Sequence, residues 1–162
     1  MARLWNKPNI PHRGWRYIEI LDFEKNYQIC MMCDNEKIRY IHVLEHQSYP
    51  TYLHVSCVCA EKLTEDYINP KLKEKEKKQQ SARYNSYFKK EWKTTVNNNY
   101  TLTFKGDKLL IYKEKSTHYY KFKINNIWFS DKFLEIKYIK EHIYQQLEYM
   151  NESNYSLENK NN

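Results

Sequence analysis

Glycine and proline are scarce in this chain of 162 residues, which contains 2 Gly and 4 Pro. Such a composition excludes collagen-like tracts, and it provides no glycine-rich loop of the kind that binds phosphates in Walker-type or dinucleotide-binding proteins. Apolar runs are short as well: none reaches the roughly 18 residues of a membrane-spanning helix, and the first residues contain no signal-peptide core. We therefore expect a cytoplasmic protein with no membrane partner.

Cysteine is also scarce, but its 4 copies form two close pairs. Cys30 and Cys33 are spaced C-x-x-C, and Cys57 and Cys59 are spaced C-x-C. Because cytoplasmic thiols stay reduced, such clusters are typical of metal ligands or redox groups rather than of disulfides. The first spacing lets both sulfurs of a tight turn face one ion. We predict a Zn²⁺ site with four ligands, namely Cys30, Cys33, Cys57 and Cys59.

The residues around the second pair predict how its thiols are presented. Ile38 and His42 belong to an alternating, strand-like run, and a turn containing Pro50 follows it. A helix predicted to begin near Ala60 leaves the second cysteine pair in the preceding loop and the first turn. Thiols in that position need not diverge as they do deep inside a helix, and a helix N-terminus favours thiolate over thiol.

A longer pattern connects these pieces: C-x-M-C, then I-R-Y-x-H-x-x-E-H, Y-P-x-x-L, C-V-C-A and D-Y. Between roughly residues 15 and 93 the chain resembles a group of small bacterial proteins with a treble-clef-like zinc finger. The resemblance implies a zinc knuckle, a hairpin and a ligand pair at the start of a helix, and it implies no activity. The residues that carry it are Cys30, Met32, Cys33, Ile38, Arg39, Tyr40, His42, Glu45, His46, Tyr49, Pro50, Leu53, Cys57, Val58, Cys59, Ala60, Asp66 and Tyr67.

Other ligand sets stay open. His54 lies three residues before Cys57 and is a candidate to replace a cysteine. His42 and His46 have the spacing of a C2H2 finger, although the gap of eight residues before them is shorter than the usual one of about 12. Glu45 beside His46 is a candidate acid or base for a catalytic zinc, but the cysteine spacing is typical of a closed structural site. We therefore predict that the protein is not an enzyme.

Positive charge is concentrated in one segment of the chain. The net charge is +7, and residues 71 to 93 contain nine basic residues against three glutamates. Tyr84, Phe88 and Trp92 recur at helical spacing, which predicts a basic amphipathic helix over 70–98 with a buried aromatic stripe and a solvated, Lys-rich first half. Such a surface binds phosphates without reading base sequence. The candidate nucleic-acid-binding residues are Lys73, Lys77, Lys78, Arg83, Lys89, Lys90 and Lys93.

After residue 98 the hydrophobic period changes. Alternating segments flank Gly106 and Asp107, which predicts a hairpin, and a further strand contains Lys121 and Lys123 on one face and Phe122 on the other. We expect the aromatic residues here to pack in a core; exposed ones would instead be able to stack on bases. Apolar residues at helical spacing between 134 and 147 predict a closing helix.

The predicted fold class is therefore α+β. We expect a treble-clef-like, zinc-binding unit over 1–69 and the basic helix over 70–98. An antiparallel sheet of three to four strands with its helix covers 99–150, and a disordered tail covers 151–162.

Two functions stay open on the sequence. The first is a non-enzymatic zinc-binding protein that associates with RNA or DNA through its Lys-rich helix. The second is a protein-interaction module, such as an accessory factor or inhibitor that docks on a nucleic-acid enzyme or ribonucleoprotein. Mobile-element and phage anti-defence proteins belong to this second class. A Lys-rich face suits a nucleic acid and an acidic protein equally.

Overall fold

The computed structural model describes residues 3–158 of the chain. The chain divides into two compact units, Met1–Arg83 and Tyr84–Asn162. Within the described range the secondary structure consists of antiparallel strands and three α-helices, which confirms the predicted α+β class. None of the helices in this range combines the length and the hydrophobicity that a bilayer crossing demands.

The first unit contains a three-stranded antiparallel sheet, a two-stranded sheet and the start of the long basic helix. Its elements are a 3₁₀ turn (Leu4–Asn6), β1 (Arg16–Asp22), β2 (Gln28–Ile29), β3 (Lys37–Ile38), β4 (Tyr40–Glu45), β5 (Leu53–Val55), α1 (Cys57–Thr64) and α2 (Asn69–Phe88). The three-stranded sheet has the order β1-β4-β5, and β2 pairs with β3. The core is formed by buried side chains, among them Trp15, Met32, Ile41, Leu44, Leu53, Val55, Ala60 and Leu63.

Strand β1 is absent from the sequence-based prediction, although it pairs along the whole of β4. The pairing register shifts between Tyr17 and Glu19. Such an irregularity breaks the two-residue alternation by which a strand is recognised in a sequence. The strand is therefore identified only by its pairing with β4, which is a long-range contact.

Helix α1 begins at Cys57 and not near Ala60, as the sequence analysis expected. Ser56 is the N-cap residue with extended backbone angles, and its carbonyl accepts the first helical hydrogen bond from the Ala60 amide at 2.9 Å. The Ser56 side chain makes no capping hydrogen bond, so the start of the helix is defined by this backbone bond alone. As a consequence, Cys57 and Cys59 both lie on helical backbone.

The first half of α2 is attached to the first unit by polar contacts and is not a fully solvated rod. The Ser81 hydroxyl donates a short hydrogen bond to the Asp22 carboxylate at the end of β1. Arg39 donates two further hydrogen bonds to the same carboxylate, at 2.6 and 2.8 Å. Asp22 thereby joins the helix, β1 and the residue just before β4.

The second unit is an antiparallel sheet of five strands, rather than the predicted three to four, with one helix. Its strands are β6 (Lys93–Thr94), β7 (Tyr100–Phe104), β8 (Asp107–Lys113), β9 (Tyr120–Ile124) and β10 (Ile127–Trp128), and the helix is α3 (Ile136–Glu158). Neighbours in sequence are neighbours in the sheet, which has the order β10-β9-β8-β7-β6. The predicted hairpin is confirmed, but its turn consists of Lys105 and Gly106 rather than Gly106 and Asp107, because Asp107 already pairs with Phe104. Both turn residues have positive φ, as this tight turn requires.

The segment predicted as one helix over 70–98 is interrupted. Helix α2 ends at Phe88, and Lys93 and Thr94 already belong to the sheet. The aromatic stripe is also rearranged, because Tyr87 is fully buried while Phe88 is 40% exposed. The chain turns after the helix so that the ring of Trp92 meets that of Tyr87 edge-on, with the centroids 6.4 Å apart.

Helix α3 continues beyond the predicted end of the C-terminal unit at residue 150. Residues 151–158, predicted as part of a disordered tail, are helical, and residues 159–162 lie outside the described range. No Gly or Pro interrupts this helix, and the Ser153 hydroxyl donates a hydrogen bond to the Tyr149 carbonyl. The sequence-based prediction of a disordered tail rests only on the polar composition of these residues.

We predict that the Asp22 contacts make the first unit sensitive to acid. Hydrogen bonding from Arg39 lowers the pKa of Asp22 from 3.8 to about 2, against the opposing effect of burial. Between these two pH values the folded state therefore binds fewer protons than the unfolded state. The lowered pKa contributes about 2 kcal/mol to the free energy of unfolding above about pH 4, and this contribution disappears toward pH 2. Urea denaturation of the Asp22→Asn variant should show this loss already at pH 7, and the difference from wild type should shrink at low pH.

The matched control for this measurement is Glu19→Gln, which removes an exposed carboxylate from the same strand. It should follow the wild-type pH profile. If the stability of Asp22→Asn decreases with falling pH in the same way as that of wild type, the Asp22 carboxylate does not attach α2 to the sheet.

Candidate metal centre

The first cysteine pair lies in a tight turn between β2 and β3. The Cys30 amide donates to the Glu36 carbonyl at 2.9 Å, and the Asp34 amide donates to the Cys30 carbonyl at 2.9 Å. Asp34 has φ of 56°, in the left-handed region that Asp tolerates better than most residues. These bonds close a knuckle in which Cys30 is buried and Cys33 is half-buried.

The sulfur of Cys30 is surrounded by hydrogen-bond donors. The backbone amide of Ser56 donates to Cys30 Sγ at 3.3 Å, which connects the knuckle to the start of α1. A hydrogen bond from the Cys59 thiol, followed by backbone amides that include that of Cys33, lowers the pKa of Cys30 to about 4, although burial acts in the opposite direction. The same hydrogen bond raises the pKa of Cys59. The lowered pKa of Cys30 favours the thiolate form that a metal ligand requires.

The second cysteine pair points in two directions. Successive residues of an α-helix are rotated by about 100°, so side chains two positions apart lie on nearly opposite sides of the axis. Because α1 includes both residues, Cys59 faces the knuckle and Cys57 does not. The expectation that the two thiols remain side by side depended on a later helix start.

Three sulfur atoms converge at the knuckle. The Sγ atoms of Cys30, Cys33 and Cys59 lie within 4.8 Å of one another, which is close enough to hold a metal ion. Two of the sulfurs come from the turn and one from the start of α1. In the sequence, 23 residues lie between Cys33 and Cys57, the first residue of α1. The fourth predicted ligand, Cys57, is outside this group, and coordination of one ion by all four sulfurs stays a prediction.

Cys57 belongs to a second group of three side chains. Its sulfur, a ring nitrogen of His42 on β4 and a carboxylate oxygen of Glu74 on α2 lie within 4.8 Å of one another, and this group could also hold a metal ion. His42 is fully buried. Its Nε2 lies 3.0 Å from Glu74 Oε2, and its Nδ1 lies 3.1 Å from the Tyr17 hydroxyl.

The second group has a distinct electrostatic character. The hydrogen bond with His42 and the nearby Lys78 ammonium lower the pKa of Glu74 to about 2 despite its burial. Burial and the negative charge of Glu74 raise the pKa of Cys57 to about 11. Burial also raises the pKa of Tyr17, whose hydroxyl therefore keeps its proton beside His42. The carboxylate is thus ionised and the thiol protonated unless a cation replaces the thiol proton.

Sequence reasoning missed Glu74. It lies 32 residues from His42, in a segment whose alternating Lys and Glu residues resemble any solvated helix. No local spacing connects it with a cysteine, and only the attachment of α2 to the sheet brings it there.

The histidine alternatives have other surroundings. His46 packs against Trp15, with ring centroids 5.3 Å apart, and accepts a hydrogen bond from the Ser48 amide at Nδ1. The backbone of His54 pairs with Met31, its carbonyl accepting from the Met31 amide at 3.0 Å. Neither histidine belongs to a candidate metal group within residues 3–158. The C2H2 arrangement is not formed, because His42 faces Cys57 and Glu74.

The predicted nucleic-acid-binding residues on the first part of α2 are partly engaged within the first unit. Lys73 lies over the ring of Tyr17, with its Nζ 4.0 Å from the centroid. Lys78 forms an ion pair with Glu74 at 2.5 Å, and Lys77 is half-buried. These contacts reduce the charge that this part of the helix offers to a phosphate backbone.

The remaining members of that predicted set lie at the end of α2 and after it. Arg83 is half-buried, whereas Lys89, Lys90 and Lys93 are exposed. Lys93 is part of the five-stranded sheet. The seven residues therefore do not belong to one element.

Comparison of the chain with protein-family models, with curated proteins and with solved structures gives no match. The resemblance to zinc-finger-like bacterial proteins stays a sequence-based prediction. What the chain can do must be argued from its own residues.

We predict that the two cysteines of α1 respond differently to substitution. In zinc-loaded protein, Cys33 should resist alkylation because its sulfur is coordinated, even though the side chain is half-buried and accessible. Cys59→Ser should abolish this protection, and Cys57→Ser should retain it. Alkylation with iodoacetamide, followed by mass spectrometry of the peptide that contains Cys33, measures the difference. If Cys57→Ser removes the protection as completely as Cys59→Ser, one ion with four sulfur ligands is the correct arrangement.

Proposed function

We propose that the protein is a zinc-binding, non-enzymatic protein that associates with single-stranded nucleic acid. In this proposal Cys30, Cys33 and Cys59 provide three of the four ligands of a structural Zn²⁺ in a treble-clef-like unit. Thiolate ligands favour zinc among the common divalent ions, and the order of knuckle, hairpin and helix start supports the arrangement. The ion would add a direct connection between two segments that already share one apolar core.

The nucleic-acid part of the proposal is carried by one observation, the composition of the open face of the five-stranded sheet. Buried residues of this sheet, such as Leu109, Ile111 and Phe122, alternate with residues on the opposite face. At strand positions that opposite face contains no carboxylate. Its residues, in the order of the strands, are Lys93, Thr101, Thr103, Lys108, Leu110, Tyr112, Lys121, Lys123 and Trp128.

The aromatic pair on this face has the properties of a stacking platform. Trp128 is 55% exposed, and the ring of Tyr112 lies edge-on to it with the centroids 6.5 Å apart. Lys123 is next to Trp128, with its Nζ 5.6 Å from the ring centroid. Exposed aromatic rings beside lysines bind single-stranded nucleic acid, because bases stack on the rings while the ammonium groups contact phosphates. Phe122, in contrast, is buried and is excluded from base stacking.

The charge of this open face is not fully neutralised. Lys121 forms an ion pair with Glu114, at 2.7 Å, just beyond the end of β8. Lys108 and Lys93 are exposed. We infer that this sheet face contributes more to phosphate binding than the first part of α2, whose lysines have partners in the first unit.

A second candidate function, a protein-interaction module, is favoured by the exposed side of α3. Tyr138 and Tyr149 are 58% and 68% exposed, and Leu134, just before the helix, is 70% exposed. Tyr138 and Tyr149 are 11 residues apart, which is about three helical turns, so they lie on the same side of α3. Exposed apolar stripes are typical of docking sites for protein partners. A complex that survives nuclease treatment, with no affinity for free nucleic acid, would identify this function.

We predict that Trp128→Ala weakens binding to a fluorescein-labelled oligothymidylate of about 20 nucleotides by roughly 5- to 100-fold, because one stacked base contributes about 1–3 kcal/mol. Lys123→Gln should reduce the slope of log Kd against log salt concentration by about 0.7, the value for one phosphate contact on a single strand. Fluorescence anisotropy at several salt concentrations measures both effects.

Lys137→Gln, which removes an exposed lysine from α3, is the matched control and should leave affinity nearly unchanged. Wild-type affinity that does not vary with salt, or equal affinities of wild type and Trp128→Ala, would contradict the assignment of this face.

A further inference from the structure

The group formed by His42, Cys57 and Glu74 is constructed from three different elements. His42 comes from β4, Cys57 is the first residue of α1, and Glu74 lies in α2. Their ligand atoms converge within 4.8 Å although the residues are far apart in sequence. A sulfur, an imidazole nitrogen and a carboxylate oxygen together suit Zn²⁺ and related first-row divalent cations, and do not suit Mg²⁺ or Ca²⁺, which prefer oxygen ligands alone.

Outer contacts orient two of these three side chains. The Tyr17 hydroxyl, 3.1 Å from Nδ1 of His42, fixes the imidazole so that Nε2 faces the group. Lys78 contacts Oε1 of Glu74 at 2.5 Å, which leaves Oε2 directed at the histidine. Metal-binding histidines and carboxylates usually have such partners, because a ligand held in one orientation loses less entropy when the ion binds.

The group also opens toward a surface pocket. Cys57 and Glu74 line it together with Lys71, Lys75 and Lys78, which follow each other at helical spacing on one side of α2. Three protein ligands leave a fourth tetrahedral position free, as in catalytic rather than structural zinc sites. A ligand that enters this position from the pocket passes these ammonium groups. Lys71 is paired with Glu61 at 2.9 Å and Lys78 with Glu74 at 2.5 Å, so Lys75 provides most of the attraction for an anion.

We propose that His42, Cys57 and Glu74 form a second metal site, which binds one Zn²⁺-like cation and keeps its fourth position for an oxyanion from the pocket lined by Lys71, Lys75 and Lys78. This site differs from the structural centre at the knuckle in its ligands and in its access to solvent. It does not depend on nucleic-acid binding by the second unit.

The proposal competes with a simpler use of the same residues. Tyr17 can donate to Nδ1 of His42, whose Nε2–H can donate to Glu74, and this chain of hydrogen bonds attaches α2 to the sheet without any ion. Both arrangements satisfy the buried imidazole. They differ in metal content, so the number of ions per chain separates them.

The decisive experiment counts metal in the full-length chain. Protein loaded with excess Zn²⁺ and freed of loosely bound ions by gel filtration should contain two zinc ions per chain by elemental analysis. Glu74→Gln keeps the size of the side chain and removes its charge, so it should lower the content to one. Glu76→Gln, an exposed position on the same helix, should retain two. Cys57→Ser provides a second variant of the site and should also retain only one.

The open position is tested with Co²⁺-loaded protein and inorganic phosphate. Phosphate should change the visible absorption of wild-type protein, and Lys75→Gln should weaken this phosphate affinity by roughly fivefold. In Glu74→Gln the phosphate-dependent change should be absent. Circular dichroism of every variant should match wild type, which excludes unfolding as the cause.

If the wild-type chain contains one zinc ion and Glu74→Gln retains it, the proposal is overturned. The role of these residues is then the hydrogen-bonded network. Equal zinc contents in Glu74→Gln and Glu76→Gln would overturn it as well. A cobalt spectrum that does not respond to phosphate would show that the fourth position is closed. None of these outcomes bears on binding of oligothymidylate, which tests the function proposed for the second unit.

Discussion

Helix α1 begins at Cys57, and this start determines where both of its cysteines can act. Two positions along a helix separate side chains by about 200°, so the C-x-C pair cannot present both sulfurs to the knuckle while its backbone is helical. Cys59 joins Cys30 and Cys33, and Cys57 joins His42 and Glu74. A short motif that suggests one site in the sequence therefore contributes to two groups in the fold. The N-cap at Ser56 positions both, because its amide also donates to the sulfur of Cys30.

Polar contacts attach helix α2 to the three-stranded sheet of the first unit. Asp22 joins α2 to β1 through Ser81 and Arg39, and Glu74 joins the same helix to β4 through His42. Partly buried ionic contacts of this kind contribute modest stability but are costly to break singly, because the remaining charge is left without its partner. They place the helix in one register on the sheet. A bound cation at the knuckle would add a constraint of a different kind, between segments that are distant in sequence.

Much of the second unit could be predicted because its signals are local. The hairpin follows from alternating residues on both sides of Gly106, although its turn lies one residue earlier than the predicted dipeptide Gly106-Asp107. Helix α3 follows from apolar residues at helical spacing. Strand β6 contains two residues and gives no period to recognise. The α+β class follows from these same patterns, whereas the end of α2 at Phe88 depends on where Trp92 packs.

The candidate site was only partly predictable, because only some of its residues are connected by local spacing in the sequence. Cys30 and Cys33 are readable as a pair because a tight turn keeps their relation local. The predicted and observed starts of α1 differ by about one helical turn, which is close to the usual uncertainty of helix boundaries. This small difference nevertheless decides the direction in which Cys57 points. Glu74 depends on a contact between distant segments and has no signature of its own.

The most direct test of the account is the position of zinc relative to the four sulfurs, measured by an anomalous difference map from a crystal at the zinc absorption edge. We expect a peak about 2.3 Å from the sulfurs of Cys30, Cys33 and Cys59, with the sulfur of Cys57 outside that coordination sphere. A single peak coordinated by all four sulfurs, or the absence of any peak between the knuckle and α1 in zinc-loaded crystals, would contradict it.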